Sequence, residues 1–389
     1  MQNLLVIHNT YQQRGGEDSV VEAEVELLRA RGHRVFEYQR SNDELNALPR
    51  AQAAWETLWS ARSAHDVAEL IARERIELVH CHNTFPRVSP SVYWAAARAG
   101  VPLVQTLHNF RLVCPQALML RDEQPCEDCV GRSVPWPAVR HACYRGSRAQ
   151  STVLAGMLVA HRVAGTWQRR VSRYIALNEF CRQRFIAGGL PAERIAVKPN
   201  FVDTGPAPDP AAPREGVLFV GRLSHEKGVA VLAEAAHRLG GTLPLTVVGS
   251  GPLAHLLEGL PGVRLLGAQP AQAVLAEMRR ARLLVLPSIC YENFPRTLAE
   301  AFACGLPVVA SKLGAMAELV HDGETGAHFE AGNASDLAQV LAHLHGDPGR
   351  CAALGANARC NYENELTPAA NYRQLISIYT AAQSADTHV

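Results

Sequence analysis

The chain has 389 residues, 48% of them apolar and 19% charged, with a formal net charge of +1. Domains usually run to roughly 100–200 residues, so this length exceeds what one hydrophobic core organises and predicts two. The composition excludes a disordered chain, and the balanced charge excludes a global electrostatic pull toward nucleic acid or a membrane, although local stretches differ.

The chain runs straight into an apolar stretch, LLVIHN, without a basic leader or a small-residue cleavage site, so no signal peptide is expected. The longest apolar or small run in the basic middle segment, VLAGMLVA, is far below the roughly 20 residues of a spanning helix. Ten cysteines in this context read as reduced thiols or metal ligands rather than a disulfide framework. The expected location is cytoplasmic, with a peripheral position on the inner face of the cell membrane as a further option.

In chain order, LLVIHN, the amphipathic EDSVVEAEVELLRARG, HRVFEY, IELVHCHN, VPLVQTLHN, YIALNE and RIAVKPN set up a βαβ rhythm. The strands are continuously apolar rather than alternating, as expected when helices cover both faces of a sheet. Between the first strand and helix, NTYQQRGGEDS carries Gly15 and Gly16, which permit a close backbone approach to a ligand. VQTLHNFR places His108 at the carboxyl end of a strand, where open α/β sheets put their ligands. A lone histidine there is more often a structural hydrogen-bonding residue than a catalytic one.

An insertion over residues 112–146 follows, with Cys114, Cys126, Cys129 and Cys143 spaced C-x11-C-x2-C-x13-C. Four thiolates of that pattern suit a closed, structural zinc site; a redox pair or four unlinked thiols are the alternatives. From Val130 to Asn178 there is no Asp or Glu, while Arg occupies positions 132, 140, 145, 148, 162, 169, 170 and 173. The stretch VLAGMLVAHRVAGTWQRRVSR inside it is helical in composition and carries its apolar and Arg positions in amphipathic fashion. An anionic membrane surface, or the phosphates of a lipid-linked acceptor, is the natural partner of the Arg-rich segment 132–173. Pairing with Asp122, Glu123, Glu127 and Asp128 is the competing explanation. Few aromatics interleave the arginines, so nucleic acid is not expected.

DTGPAPDPAAPRE, with four prolines in thirteen residues, cannot be a helix or a central strand. The expected division is therefore residues 1–203, a linker at 204–215, a second α/β domain at 216–370, and a last helix within 371–389 that returns to the first domain. After the linker the rhythm restarts with GVLFVGRLS, PLTVVGSG, VRLLGAQ, RLLVLPSI and LPVVASK. Two such sheets are expected to form a cleft between the carboxyl ends of their strands.

In FVGRLSHEKG, Arg222 and Lys227 follow a strand and lie beside a glycine, a pattern suited to a diphosphate. VVGSGP adds a turn at Gly249. CYENFPRTLAEAFACGLPVVAS sets Glu292 before a helix that Pro295 starts, and Glu300 in its second turn, with Phe294 near the cap. A phosphate on that helix end would leave one carboxylate for hydroxyls on each side of it, the layout of a nucleotide sugar.

GRLSHEKG, VVGSGP and ENFPRTLAEAFACGLPVVAS, in this order and spacing, resemble the donor half of retaining glycosyltransferase family 4, and RGGE, LHNFR and KPNFVD extend the resemblance over nearly the whole chain. The resemblance implies the GT-B fold, two Rossmann-like α/β domains facing across a cleft, and a donor such as a UDP-, GDP- or ADP-sugar. Arg222 and Lys227 would neutralise the leaving diphosphate, Glu300 would hold the ribose, and Glu292 the donor-sugar hydroxyls. Gly16 would line the cleft, and His108 would position the donor or stabilise the transition state. No cofactor is required for such chemistry, and no D-x-D metal clamp appears in the cleft motifs. Asn293 and Pro295 flank Phe294 where many members carry glycines. Proline has no N–H, so any phosphate contact falls to Arg296 and Thr297.

The implied activity is transfer of a sugar to the hydroxyl of a glycan or lipid-linked acceptor in cell-surface polysaccharide or lipopolysaccharide assembly. A GT-B phosphorylase or epimerase is the second enzyme reading. A non-catalytic scaffold that binds a nucleotide sugar is the third, and the presence of Arg222, Lys227 and Glu292 weighs against it.

Overall fold

The structure is a computed structural model that describes residues 1–12, 15–209 and 212–386. Arg14 of the RGGE stretch and Pro210 and Ala211 of the proline-rich linker lie outside the described residues. The chain divides into two compact units: Met1–Leu118, Glu127–Pro199 and Asn371–Val389 form the first, and Met119–Cys126 with Asn200–Ala370 the second.

Eight strands precede the linker. They are β1 (Asn3–Thr10), β2 (Arg34–Ser41), β3 (Leu78–Asn83), β4 (Leu103–Thr106), β5 (Leu120–Arg121), β6 (Gln124–Pro125), β7 (Arg173–Ala176) and β8 (Ile195–Val197). Six of them make the sheet of the first unit, in the order β2-β1-β3-β4-β7-β8, with every neighbouring pair parallel. The interior strands β3 and β4 are buried at every position, whereas edge strand β2 alternates. The apolar residues of β3 and β4 meet covered faces on both sides, and their buried polar residues His80, His82, Asn83, Gln105 and Thr106 find hydrogen-bond partners instead. The chain order reverses between β1 and β3, so residues leaving their carboxyl ends stand at the switch point where doubly wound sheets bind ligands.

The core of this unit joins Leu4, Val6, Leu78, Val104 and Ile175 of the sheet to Val21, Val25 and Leu28 of helix Gly16–Ala30. Leu375, Ile378, Tyr379 and Ala382 of helix Pro368–Asp386 complete it.

The second unit carries β9 (Val217–Val220), β10 (Leu245–Val248), β11 (Val263–Leu265), β12 (Leu283–Leu286), β13 (Val308–Ser311) and β14 (Gly326–Phe329), all parallel, in the order β11-β10-β9-β12-β13-β14. This is the doubly wound order with its switch point between β9 and β12. Helices Val229–Leu239 and Ala334–His345 pack their Leu232, Ala236, Leu337 and Leu341 on Val217, Phe219, Val247 and Val285.

Three sequence-based boundaries change. The first unit ends at Pro199 rather than 203, because Val202 donates its N–H to the Leu366 carbonyl and accepts from the Tyr362 hydroxyl, both in the second unit. Within the 112–146 insertion, the antiparallel hairpin β5–β6 belongs to the second unit, where Leu120 clusters with Ile289 and Cys290. Burying such a side chain stabilises by roughly 2 kcal/mol. Finally, the helical composition of the Arg-rich stretch is realised in two pieces. Helix Arg148–Val163 stops, Gly165 turns the chain at φ 70° before Thr166–Arg169, and Arg173 begins β7. Among the described residues no helix is long and apolar enough to cross a membrane.

Candidate functional site

In the second unit the site grows from the switch point. The chain leaves β9 at Val220 and passes through Gly221 and Arg222 to a 3-10 turn at His225–Lys227. It leaves β12 at Leu286 and passes through Pro287 and Ser288 to Glu292. The two loops are locked together. Gly228 has φ 69°, and a Cβ there would lie 1.7 Å from the Pro287 carbonyl oxygen, so only glycine permits this contact. The Ile289 N–H also donates to the Glu226 carbonyl.

Lys227 Nζ lies 2.6 Å from Glu292 Oε1, which also accepts from Ser288 Oγ at 2.7 Å. Burial pushes the Glu292 carboxyl up, but the Lys227 ammonium and the Lys227 and Ser288 hydrogen bonds outweigh it and hold it below its ordinary value. Burial likewise opposes the charge on Lys227, and Glu292 overcomes it, so the Lys227 pKa is raised. The pair is ionised and half-buried, at 29% and 13% side-chain exposure. Arg222 is the open member, 62% exposed, with Nη1 3.8 Å from Glu226.

Helix Arg296–Ala303 begins next, with Pro295 at its N-cap rather than in its first turn. Proline carries no side-chain acceptor for a cap. Glu300 is bound by Arg296 Nε at 2.8 Å on the same helix face, and burial raises its pKa against that pairing. Thr297 is half-buried at the helix start, and Phe294 is buried at 7% exposure. Gly249 has a structural use as well: with φ 140°, a Cβ there would lie 1.8 Å from the Gly221 carbonyl, so its bareness admits the neighbouring loop of its own unit. Lys227 and Glu292 are thus brought into direct contact, while Glu300 is bound to Arg296.

In the first unit, the Gly15 N–H is taken by Asp18 Oδ2 at 2.7 Å, and Asp18 Oδ1 in turn binds His8 Nε2 at 2.8 Å. Gly15 is therefore committed to holding the helix start, and Gly16, exposed with open space where a Cβ would be, is the freer backbone. Tyr11 donates to Glu17 at 3.0 Å, and burial pushes Glu17 up to about 7.

His108 lies two residues past β4, and its Nε2 is 2.9 Å from His82 Nδ1. Burial, reinforced by the neighbouring His82, holds the His108 pKa well below its ordinary value, so the ring is neutral.

Among the described residues, the set of three His, Cys, Asp or Glu ligand atoms lying within 4.8 Å of one another is Glu24, His80 and His82. Cys114 is buried, and Cys126, Cys129 and Cys143 are half-buried. Cys126 closes the hairpin of the second unit, whereas the other three belong to the first. Of the acidic residues weighed against the arginines, Glu127 binds Arg184 at 2.6 Å and Glu123 lies 3.5 Å from His225, both outside the basic segment.

Residues 14–205 match the family model described as Glycosyltransferase Family 4, and residues 214–347 match Glycosyl transferases group 1. A D-inositol 3-phosphate glycosyltransferase of Thermomonospora curvata is 30% identical over 349 residues, 83% of this chain and 74% of that protein. The chain belongs to glycosyltransferase family 4. The amylovoran biosynthesis glycosyltransferase AmsK of Erwinia amylovora is 29% identical over 260 residues, and the match spans 59% of this family 4 chain and 63% of AmsK. In three dimensions, Anabaena HepE, solved in complex with UDP, superposes with a TM-score of 0.67 at 19% identity, covering 98% of this chain and 100% of that one. That likeness establishes the GT-B fold, two parallel-sheet Rossmann-like domains.

The family motifs did not point to Ser288, Glu24, His82 or Lys198. A signal in the sequence was the spacing of His80 and His82, two apart in one strand, which puts both on a single face of the sheet. Ser288 carried no comparable signal.

Proposed function

We propose that this chain is a retaining glycosyltransferase that moves a sugar from a nucleotide-sugar donor to an acceptor hydroxyl. The observation that carries the reading is the Lys227–Glu292 pair, set with Arg222 where β9 and β12 end. As the bond from the anomeric carbon to the diphosphate breaks, positive charge develops on the sugar and negative charge on the departing oxygen. Lys227 and Arg222 offset the latter, which makes the chemistry metal-independent. Glu292 takes donor-sugar hydroxyls and orients Lys227, while Glu300 takes the ribose. Arg296 and Thr297 supply phosphate contacts at the helix start, and His108 positions the donor or stabilises the transition state. Retention is compatible with front-face displacement within an ion pair and with a covalent intermediate, the latter requiring a protein nucleophile at the anomeric carbon.

The acceptor is proposed to be a glycan, lipid-linked, in cell-surface polysaccharide or lipopolysaccharide assembly. AmsK's role in amylovoran biosynthesis supports the polysaccharide part. The lipid part is supported by the exposure of Arg132, Arg140, Arg145 and Arg148 and of the apolar Val134 and Trp136 within one short segment, the Arg132 guanidinium lying 5.7 Å from the Trp136 ring. Arginine beside exposed tryptophan suits an anionic headgroup layer.

The test is a screen of purified full chain against UDP-, GDP- and ADP-sugars with and without EDTA, followed by NMR assignment of the product's anomeric configuration. EDTA-insensitive binding or slow hydrolysis of one donor, with retention in the product, is expected. Folded protein that binds no nucleotide sugar would sink the reading, and inversion or an absolute metal requirement would sink those parts of it.

A further inference from the structure

Behind His108 lies a chain of buried polar groups that the donor chemistry does not use. Lys198 Nζ is 3.1 Å from Glu24 Oε2, and both side chains are almost fully buried, at 1% and 3% exposure. The other carboxylate oxygen, Glu24 Oε1, sits 3.4 Å from His82 Nε2 and 3.1 Å from His80 Nδ1. His80 is otherwise satisfied by the Tyr379 hydroxyl at 2.7 Å and the Thr106 hydroxyl at 2.8 Å. His82 Nδ1 meets His108 Nε2 at 2.9 Å. Glu24 Oε1 and His82 Nε2 are both buried without a hydrogen bond of good geometry, and they face each other.

A carboxylate only accepts, and a neutral imidazole has one N–H and one lone pair. A lone pair on His82 Nε2 would point one acceptor at another in a buried site, where an unpaired polar atom is costly. The proton of His82 therefore belongs on Nε2, which leaves its Nδ1 as an acceptor. The His82–His108 contact at 2.9 Å then requires His108 to donate, so the His108 proton is on Nε2 and its Nδ1 carries the lone pair. Burial pushes His82 down to about 3 and keeps it neutral, and Lys198 together with the two histidines holds Glu24 well below its ordinary value despite burial.

We infer that Lys198, Glu24 and His82 form a positioning relay that fixes His108 in one tautomer and presents its Nδ1 as a hydrogen-bond acceptor toward a hydroxyl group. For a glycosyl transfer, and resting on the reading above, that hydroxyl belongs to a sugar. His108 receives an O–H rather than donating to an oxygen. Glu24, His80 and His82 also have spacing that a divalent ion would accept, but Lys198 already supplies the positive charge that Glu24 requires.

The experiment is a long-range 1H–15N correlation of the histidine rings in the full chain without substrate, with the His108 signals assigned through His108→Gln. Protonated Nε2 and unprotonated Nδ1 on His108 are expected. In the double variant E24Q/K198M, which removes both charges so that neither is left buried alone, this preference should be lost. The opposite tautomer in the wild type, an unchanged tautomer in E24Q/K198M, or a stoichiometric metal ion that the wild type holds and His82→Leu loses would overturn the relay.

His82→Asn keeps an acceptor oxygen near the Nδ1 position and should retain turnover, whereas His82→Leu should lower kcat at least about tenfold with the donor KM little changed, since a wrong tautomer in a histidine–carboxylate unit can cost far more. Equal losses in both would overturn it. Because the tautomer is read without substrate, the expected spectrum with no transfer to any acceptor would uphold the relay while removing the glycosyl-transfer reading.

Discussion

Glu17 should make the first unit lose stability as pH rises through neutrality, and Glu17→Gln should abolish that loss. The carboxyl is 11% exposed, accepts from Tyr11 at 3.0 Å, and lies 4.0 Å from His8 Nδ1. Burial is the largest influence and raises its pKa to about 7, against 4.5 for the unburied group, while His8 and Tyr11 moderate the rise. The folded state therefore binds the proton more tightly than the unfolded chain does. The resulting stability is fully present below about pH 4.5 and is lost as pH rises through about 7.

The gap between about 7 and 4.5, at about 1.36 kcal/mol per pH unit, amounts to about 3 kcal/mol. Glutamine retains the shape and an acceptor for Tyr11 but has no proton to lose. In thermal unfolding followed by near-ultraviolet circular dichroism, the Tm of Glu17→Gln minus that of the wild type should rise by roughly 6–12 °C between pH 4.5 and pH 8.5, taking 2–4 °C per kcal/mol for a unit of this size. Comparing the two proteins at each pH cancels the other titrating groups. A difference that stays constant with pH, or that grows toward acid, would refute the burial argument.

Lys227→Ala should lower turnover by about 10²–10³, as removal of a charge-stabilising donor does elsewhere, while Tm stays within a few degrees; full activity in steady-state assays would remove the leaving-group assignment. Gly228→Ala should cost at least about 2 kcal/mol and weaken donor binding, because its Cβ cannot share space with the Pro287 carbonyl; wild-type Tm and donor affinity would show that the two loops can part cheaply. In vesicle co-sedimentation, the chain should bind phosphatidylserine-containing vesicles but not neutral ones, and R140E/R148E should weaken that binding at least about tenfold. Equal binding of both proteins would place the contact elsewhere.

Most strands were readable because strands covered on both faces are largely apolar, as in β12 and β13. The donor motifs were readable because their residues follow one another within single strand-loop-helix passages, so the sequence order of Arg222, Lys227 and Gly228 is nearly their spatial order. Lys198 illustrates what was not. It sits in RIAVKPN as an unremarkable lysine, and its burial makes sense only beside Glu24, 174 positions away. Leu120 and Ile289 likewise meet across a separation that no local pattern encodes. The grouping of Cys126 with the second unit, while Cys114, Cys129 and Cys143 belong to the first, was equally invisible in their spacing.

The chain passes between its two units four times, at 118/119, 126/127, 199/200 and 370/371. Neither unit is therefore a continuous piece that a ribosome could finish before starting the next. When residue 199 emerges, the sheet of the first unit is complete, yet Leu375, Ile378 and Tyr379 have not been made, and one face of Leu4, Leu78 and Val104 waits uncovered. At synthesis rates of about 5–20 residues per second, that wait lasts roughly 10–40 s. Through the whole synthesis of its second unit a nascent chain therefore leaves that apolar face uncovered, and a stop codon near position 370 would damage the half of the molecule that had been translated first.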